Sequence, residues 1–328
     1  MPEPKRILVT GATGKVGQAF IQRILDEPGY DSMTIRALCH NRMLEPRDRL
    51  EVVRGSIEHQ DVIEAVMQDV THVLHLATSK ETPETIMDVA VKGMFWLLEA
   101  SRTSDQFEQF LIVGGDASIG LFAYPHLLPV TEQQKHSAYQ GCYALSKVLE
   151  EVMLEQYYIQ YDLNGCCLRA PWIMEKDDLK YTLAFGDDQF GGPRWRDLMS
   201  AEQDYIGTNT IPVLLDTQGG GVRRNFVHIS DLVDAIIKAI DNPNARQQTF
   251  NICMDEPLDY EKMGAHLART RGYVITRIPS DFYSSWMDNS KAKFLLGWQP
   301  VYDAEGLIDS AFEYQRDPSD PRVIWYPG

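Results

Sequence analysis

Short apolar runs alternate with segments of helical spacing through the first part of the chain. Five runs rich in Ile, Leu and Val predict strands, at Arg6–Thr10, Met33–Cys39, Leu50–Arg54, Thr71–Ala77 and Phe110–Val113. Apolar residues that recur every three or four positions predict helices, at Val16–Leu25, Asp61–Met67 and Thr85–Ser101. This alternation is typical of βαβ units, whose right-handed crossovers build a parallel sheet.

The pattern continues past residue 138 and then weakens. Tyr139–Tyr158 predicts a long amphipathic helix, and Gly165–Arg169 predicts a sixth strand. Residues 172–221 are rich in Asp, Gly, Pro and aromatic residues and predict irregular structure. Regular elements then resume, with predicted strands at Arg224–His228 and Phe250–Cys253 and predicted helices at Asp231–Asp241, Tyr260–Thr270 and Asn289–Leu296. The fold class is therefore α/β, and a smaller second domain covers the strand ends.

A glycine-rich turn joins the first strand to the first helix. The three glycines Gly11, Gly14 and Gly17 enclose Thr13, Lys15 and Val16. The first glycine permits a tight turn, the second lets a pyrophosphate approach the backbone, and the third lets helix and strand pack closely. The free N–H groups of the helix N-terminus favour phosphate at that point. The turn predicts a Rossmann-type dinucleotide site, and the alternative is a turn that merely packs.

The GxxGxxG spacing and a later YxxxK motif carry a resemblance. With Tyr143-Ala144-Leu145-Ser146-Lys147, the chain resembles the extended branch of the short-chain dehydrogenase/reductase superfamily, the sugar-nucleotide epimerases and dehydratases. The resemblance implies a doubly wound Rossmann sheet from residues 1–172 and 223–253. It also implies a smaller, C-terminal substrate-binding domain from residues 173–222 and 254–328. The implied cofactor is NAD or NADP.

Tyr143 and Lys147 lie one helical turn apart, on one face of the predicted helix. A tyrosine that acts as a base at neutral pH needs its pKa lowered by about three units, or roughly 4 kcal/mol. The Lys147 ammonium and a nicotinamide cation both supply opposite charge. The resemblance implies that Tyr143 transfers the proton of a substrate hydroxyl and that Lys147 also binds the nicotinamide ribose.

The third catalytic position departs from the family. Relatives have a Ser or Thr after the fifth strand, and counting back from Gly120 puts Gly115 in its place. Two residues are candidates to replace it. Ser118 is one, if the loop runs differently. Asp116 is the other, because it aligns with the general acid of the 4,6-dehydratases, although it is also explained as a turn residue.

Further positions match the cofactor-binding segments of the family. No carboxylate ends the second strand, where Cys39 is followed by His40 and Arg42. A 2′-phosphate is therefore not repelled, which favours NADP slightly over NAD, unless both side chains are simply solvated. The other implied cofactor residues are Ser56, Ile57, Leu76, Ala77, Thr78, Ala170, Trp172 and Ile173.

Arg224 begins a segment, Arg224–Asp231, that resembles the family's RDFVHVxD. The implied role of Arg224 is to hold the diphosphate of a sugar nucleotide by bidentate hydrogen bonds. An ion pair between the domains is the structural alternative. Asp116 is the other implied substrate contact.

The expected function is an NAD(P)-dependent oxidoreductase or isomerase that acts on a sugar or sugar-nucleotide hydroxyl. Free-sugar or uronate dehydrogenation is one alternative. An NAD(P)-sensing binder with altered catalysis is the other, favoured by Gly115 and opposed by Tyr143 and Lys147. We expect a homodimer that forms through the YxxxK helix and the helix before it, where Phe95, Leu98, Val148 and Met153 are candidate contacts.

Composition limits which partners, metal sites and cellular locations are expected. The 328 residues carry a net charge of −16, so neither nucleic acid nor an anionic membrane is an expected partner. The five cysteines include no CxxC pair, which predicts free thiols and no metal site. The N-terminus lacks the apolar stretch of a signal peptide, which predicts a cytoplasmic protein.

Overall fold

A seven-stranded sheet forms the centre of the computed structural model, which describes residues 5–79, 81–191, 193–199 and 209–320. Its strands are β1 (Lys5–Thr10), β2 (Met33–Cys39), β3 (Leu50–Arg54), β4 (His72–His75), β5 (Gln109–Gly115), β6 (Gly165–Ala170) and β11 (Gln248–Asn251). All neighbours are parallel, in the order β11-β6-β5-β4-β1-β2-β3. The order reverses between β1 and β4, and this is where α/β sheets bind their ligands.

Helices cover both faces of this sheet. They are α1 (Lys15–Asp26), α2 (Gln60–Val66), α3 (Pro83–Ile86), α4 (Gly93–Arg102), α5 (Cys142–Tyr161) and α8 (Ile229–Ala239). Alternate residues of β1 enter different cores, since Ile7 and Val9 pack with α1 and α8 whereas Leu8 packs with α4 and α5. The predicted doubly wound parallel sheet is therefore confirmed.

A second hydrophobic core lies outside the sheet. Three short strand pairs contribute to this region, β7 (Trp172–Met174) with β10 (Phe226–His228), β8 (Thr210–Leu215) with β13 (Val274–Pro279), and β9 (Arg223–Arg224) with β12 (Leu258–Asp259). The later helices are α6 (Asp178–Thr182), α7 (Trp195–Leu198), α9 (Tyr260–Arg271), α10 (Ser290–Leu296) and α11 (Ala304–Glu313). This core joins residues of the two segments assigned to the smaller domain, such as Leu179 and Met263. The domain limits themselves stay a prediction.

Several elements differ from the prediction. Residues 172–221 are not irregular throughout, because they contain β7, β8 and two short helices. Strands β8 and β13 each include a proline, Pro212 and Pro279, which weakens the strand signal in the sequence. The predicted strand Arg224–His228 is split between β9 and β10, and helix α11 was not predicted.

Two expectations from composition bear on the described residues. The five cysteines are free, as predicted, and four of them are buried. Of the helices in the described ranges, none combines the length and the apolar character needed to cross a membrane.

Candidate active site at the carboxyl edge of the sheet

The glycine turn lies at the carboxyl end of β1. Gly11 has a φ of +66°, and a Cβ there would lie 2.7 Å from the backbone of Leu76, so only glycine fits. Gly17 packs as closely, since its Cβ would lie 2.6 Å from the Gly11 carbonyl oxygen. Helix α1 begins after Gly14, and among the described residues no side chain caps it. Its first N–H groups, near Thr13 and Val16, therefore suit a pyrophosphate.

The segment after β4 is fixed to this turn. The Thr10 hydroxyl accepts hydrogen bonds from the backbone N–H groups of Leu76 (3.2 Å) and Ala77 (3.3 Å) and is 2.9 Å from His75 Nδ1. Thr78 follows as an exposed residue whose hydroxyl donates to the Ser79 carbonyl. The two segments predicted to line the cofactor, one after β1 and one after β4, are thus hydrogen-bonded to each other and lie side by side.

Lys15 connects the glycine turn to the second core. Its ammonium donates to the Ile173 carbonyl (2.9 Å) and to the Asp178 carboxylate (2.7 Å). Ala170 is buried at the end of β6, and Trp172 lies half-buried beside Ile173 in β7. The Lys15 side chain is therefore occupied by contacts with the second core. This leaves its backbone N–H for the predicted contact with a phosphate.

The residues predicted to bind the adenosine end of the cofactor lie further along the carboxyl edge of the sheet. His40 and Arg42 are exposed just after β2. The Ser56 hydroxyl accepts a hydrogen bond from the Glu58 N–H at 3.3 Å, and Ile57 is buried in the core between the sheet and α4. Arg54 ends β3 next to Cys39 in register and is exposed, so a third cation lies near this end.

Tyr143 and Lys147 occupy one face of α5, as predicted. Lys147 Nζ lies 5.8 Å from the centre of the Tyr143 ring and 3.5 Å from the Val113 carbonyl oxygen. It donates at 2.8 Å to Glu150, and both side chains are buried. Burial disfavours the ammonium, but the Glu150 carboxylate outweighs it and holds the pKa of Lys147 above its usual value.

Tyr143 is protonated at neutral pH when only protein groups act on it. Burial raises the pKa of its hydroxyl, Lys147 lowers it, and three carboxylates raise it further, those of Glu150, Asp116 and Glu81. The expected lowering by Lys147 is present but is the smaller effect. A base at this position therefore needs additional positive charge.

Asp116 lies directly after β5 and is near enough to Tyr143 to raise the pKa of its hydroxyl; we call the region around Asp116, Tyr143, Lys147 and Arg224 the cleft. Its Oδ2 is buried and has no hydrogen-bond partner within the described part of the chain. Burial raises the pKa of this carboxyl to about 6, although Arg224, the Ala117 N–H and Arg169 each favour the charged form. Asp116 is thus partly protonated near neutral pH and can donate a hydrogen bond.

Ser118 points away from that cleft. Its fully buried hydroxyl makes hydrogen bonds to the Gly115 carbonyl (2.9 Å) and Glu151 (2.8 Å). Burial opposes the charge of Glu151, but hydrogen bonds from His136, Arg169 and Ser118 bring its pKa to about 2. Ser118 therefore belongs to a buried ionic network, and Asp116 is the candidate that faces the cleft.

Arg224 enters the cleft within a group of aromatic rings. Its guanidinium carbon lies 4.0 Å from the ring centre of Phe122, 4.4 Å from that of Trp172 and 5.1 Å from that of Phe226. Its Nε is buried and finds no hydrogen-bond partner in the described ranges. The charge is close enough to Asp116 to favour its ionised form. A cation held this way suits a negatively charged substrate group.

Three further residues of this cleft were not predicted from the sequence. Tyr139 is largely buried, and burial together with Asp116 and Tyr143 raises the pKa of its hydroxyl. Glu81 accepts hydrogen bonds from the backbone N–H groups of Cys142 (2.8 Å) and Tyr143 (3.2 Å). Glu150 shares the helical face of Tyr143 and Lys147, so helical spacing contained a signal for it. Glu81 is far from α5 in the sequence, so spacing along the chain gave no signal for it.

Comparisons with known proteins show which proteins this chain is similar to. A UDP-glucose 4-epimerase of Mycolicibacterium smegmatis is 25% identical, covering 96% of this chain and 99% of its own. One of Dictyostelium discoideum is 24% identical, covering 96% of each chain. The solved structure of a short-chain dehydrogenase/reductase superfamily protein from Agrobacterium tumefaciens, with bound NAD, superposes with a TM-score of 0.79 at 24% identity, covering 93% of this chain and 95% of its own.

The family itself is identified by its sequence model. The model of the NAD-dependent epimerase/dehydratase family matches residues 7–174, just over half of the chain. That range contains the glycine turn, Asp116, Tyr143 and Lys147. The resemblance inferred from the motifs is thereby confirmed: this chain belongs to the NAD-dependent epimerase/dehydratase family and is an NAD-dependent enzyme.

Proposed function

We propose that this enzyme is a sugar-nucleotide epimerase that inverts one hydroxyl-bearing carbon, with Tyr143 as its acid–base group. The observation that carries the proposal is the meeting of Asp116, Tyr143, Lys147 and Arg224 in one cleft beside the glycine turn. The relatives named UDP-glucose 4-epimerase align over nearly their whole length, which supports the same class of substrate.

In the proposed reaction the cofactor would carry the hydride, and the protein side chains would carry the proton and orient the substrate. A nicotinamide dinucleotide held by the glycine turn and Lys147 would supply the hydride acceptor and donor for the carbon. Tyr143 takes the hydroxyl proton and later gives it back. Lys147 keeps a positive charge beside the phenol and holds the nicotinamide ribose. Asp116 donates a hydrogen bond to the reacting oxygen, in place of the family's Ser or Thr.

Arg224 is the proposed contact for the diphosphate. Its planar guanidinium presents paired donors to phosphate oxygens, and the surrounding rings keep it in one orientation. Its Nε is buried without a hydrogen-bond partner in the part of the chain described, and Tyr260 is within hydrogen-bonding reach of the guanidinium.

A second candidate is a dehydrogenase of a free sugar or uronate. The observation that favours it is the closeness of Arg224 to Asp116 and Tyr139, near the reacting end of the cleft. A uronate carboxylate bound by Arg224 would bring a neighbouring hydroxyl towards Tyr143. This candidate predicts net reduction of the cofactor.

We also propose a preference for NADP over NAD. No carboxylate follows β2, and the exposed cations His40, Arg42 and Arg54 lie at the ends of β2 and β3. They would pair with a 2′-phosphate. Arg42→Ala should weaken NADP binding severalfold and leave NAD binding unchanged, measured by calorimetric titration at fixed salt. Equal losses for both cofactors would contradict the preference.

One experiment separates the candidates. The purified enzyme is incubated with NAD or NADP and a panel of sugar nucleotides, free sugars and uronates. Absorbance of the reduced nicotinamide is followed, and the products are separated by chromatography. A stereoisomer formed without net reduction supports the epimerase, and net reduction supports the dehydrogenase. Bound cofactor with neither result would favour the NAD(P)-sensing binder over both.

A further inference from the structure

Tyr139 lies in the loop before α5, and hydrogen bonds anchor this loop to the turn that follows β5. The Ser137 N–H donates to the Ser118 carbonyl (3.0 Å), and the Ser137 hydroxyl donates to the Ile119 carbonyl (2.8 Å). On the other side of Tyr139, helix α5 begins three residues later, with Tyr143 in its first turn. An extended chain spans at most about 3.6 Å per residue, so Tyr139 stays close both to that turn and to Tyr143.

The Tyr139 side chain is surrounded by charged and titratable groups of the cleft. Burial raises the pKa of its hydroxyl, and the groups that act on it come from four elements. Asp116 from the turn after β5, Tyr143 from α5 and Glu81 from the loop after β4 raise that pKa further. Arg224 from β9 lowers it. Tyr139 is therefore a neutral phenol at neutral pH, close to the groups proposed to act on the reacting oxygen and to the cation proposed to hold the diphosphate.

The hydroxyl of Tyr139 makes no hydrogen bond to another residue in the part of the chain that the structure describes. The carboxyl of Asp116 accepts from the Ala117 N–H instead. A phenol both donates and accepts hydrogen bonds, and a largely buried phenol usually has a partner. A sugar hydroxyl matches it, because a hydroxyl also donates and accepts. A phenol of this kind beside the reacting groups is suited to bind a neutral hydroxyl.

We propose that Tyr139 binds the sugar hydroxyl next to the reacting one and thereby helps to determine which sugars the enzyme accepts. The inference rests on the proposed function, in which Asp116 and Tyr143 act on the reacting oxygen and Arg224 holds the diphosphate. Hydroxyls on adjacent ring carbons lie close together, so a sugar that brings one of them to Tyr143 brings a second one near Tyr139. A sugar without that second hydroxyl would leave the phenol without a partner, and such a loss discriminates between substrates.

The test compares a sugar nucleotide with the bare nucleotide and needs no turnover. The enzyme is loaded with NADH, which cannot accept a hydride, and is titrated with UDP-glucose or with UDP in a calorimeter. Tyr139→Phe removes the hydroxyl but keeps the ring. It should weaken UDP-glucose binding by about fivefold, as expected for one neutral hydrogen bond, and leave UDP binding unchanged.

A second comparison identifies the sugar oxygen that Tyr139 contacts. The 2-deoxy, 3-deoxy and 4-deoxy analogues of UDP-glucose each lack one ring hydroxyl. One of them should bind the wild type and Tyr139→Phe with equal affinity, because the hydrogen bond that the variant lacks is already missing from that ligand. A purely structural effect of the substitution would instead weaken the binding of all three analogues alike.

Tyr124→Phe is the matched control. The Tyr124 hydroxyl donates to the Ala138 carbonyl (3.1 Å) in the same loop, and its side chain is exposed. Removing this hydroxyl should therefore leave the affinity for UDP-glucose at the wild-type value. The free energy of unfolding of Tyr139→Phe should also equal that of the wild type, because the hydroxyl that it removes has no partner among the described residues.

The outcomes separate this inference from the proposed function. Wild-type affinity of Tyr139→Phe for UDP-glucose overturns the inference, and so does a loss of affinity that extends to UDP, to every deoxy analogue or to Tyr124→Phe. The proposed function fails by a different result, in which the wild type binds neither UDP nor UDP-glucose. The inference would then fall with it, because no sugar nucleotide would enter the cleft.

Discussion

At the scale of single residues, the cleft combines Tyr143 and Lys147, the pair that the resemblance predicts, with a different third group, Asp116. The resemblance predicts a hydroxyl at position 115, where this chain has Gly115, and the proposed replacement is the carboxyl of the next residue, Asp116. A hydroxyl donates at any pH, whereas a carboxyl donates only when it is protonated. The proposed hydrogen bond from Asp116 to the reacting oxygen therefore depends on pH.

Tyr143→Phe should lower turnover by at least about 10²-fold, since it removes the group that exchanges the substrate proton. Cofactor affinity should be nearly unchanged, because Lys147 and the glycine turn remain. Steady-state kinetics and calorimetric titration with NAD measure the two effects. Full retained activity would exclude the proton-transfer role.

We expect the profile of kcat/KM against pH to change slope near pH 6, because Asp116 titrates there. Its pKa is about 6, so the donating form is present below that pH and is lost as pH rises through it. Asp116→Asn donates at every pH and should remove this change of slope. Asp116→Ala should slow turnover by about 10²-fold below pH 6, where the wild-type carboxyl donates, and by less above that pH. A wild-type rate in the alanine variant would return Asp116 to the role of a turn residue.

At the scale of elements, α5 is positioned by a contact from a distant loop. Its N-terminus follows Gly141, whose φ is +136°, and a Cβ there would lie 2.3 Å from Glu81. The Glu81 carboxylate fills the place of a cap by accepting from two N–H groups of the first turn. Helix α5 therefore begins at Cys142, later than the predicted Tyr139.

Glu81→Ala should destabilise the fold by about 1 kcal/mol, the usual effect of removing a helix cap. Chemical denaturation measures this difference in the free energy of unfolding. Glu84→Ala is the control, because Glu84 is exposed in the same segment and makes no hydrogen bond or ion pair with α5 among the described residues. Equal stability of both variants and the wild type would contradict the capping role.

Periodicity predicted the elements whose burial is regular. Strands β1 to β6 and helices α1, α5 and α8 have one or two faces in a core, and that repeat is visible in the sequence. Among the described strands, β8 and β13 form a separate two-stranded sheet and contain prolines, so their burial follows no comparable repeat. In the cleft, motif spacing identified Tyr143 and Lys147. Glu81 and Tyr139 depend on how a long loop folds back, which local spacing does not encode.

At the scale of the whole molecule, the outer side of α4 and α5 carries exposed apolar side chains. Phe95 on α4 is 39% exposed and Leu145 on α5 is 44% exposed, and Val148 lies half-buried one turn after Leu145. Two of the expected contacts face inwards instead, since Leu98 is fully buried and Met153 packs against the core. We propose that Phe95, Leu145 and Val148 form the centre of a two-fold interface.

Phe95→Glu should convert this dimer to a monomer, because a charge at the centre of an apolar interface is left without a partner. Sedimentation velocity measures the change. Phe294→Glu is the matched control, since Phe294 is 87% exposed on α10, a helix that packs with α8 rather than α4 or α5. A wild-type enzyme that sediments as a monomer would rule out the proposed interface.

The attachment of Lys15 to Ile173 and Asp178 has a consequence for the kinetics of the enzyme. The same residue belongs to the turn that is predicted to receive the cofactor phosphates and holds the segment leading to the second core. Any motion that separates the two cores must therefore break a charged hydrogen bond at the edge of the predicted cofactor site. We expect this contact to slow release of the dinucleotide. The proposed epimerase needs that order of events, because product must leave while one cofactor molecule stays bound for many turnovers.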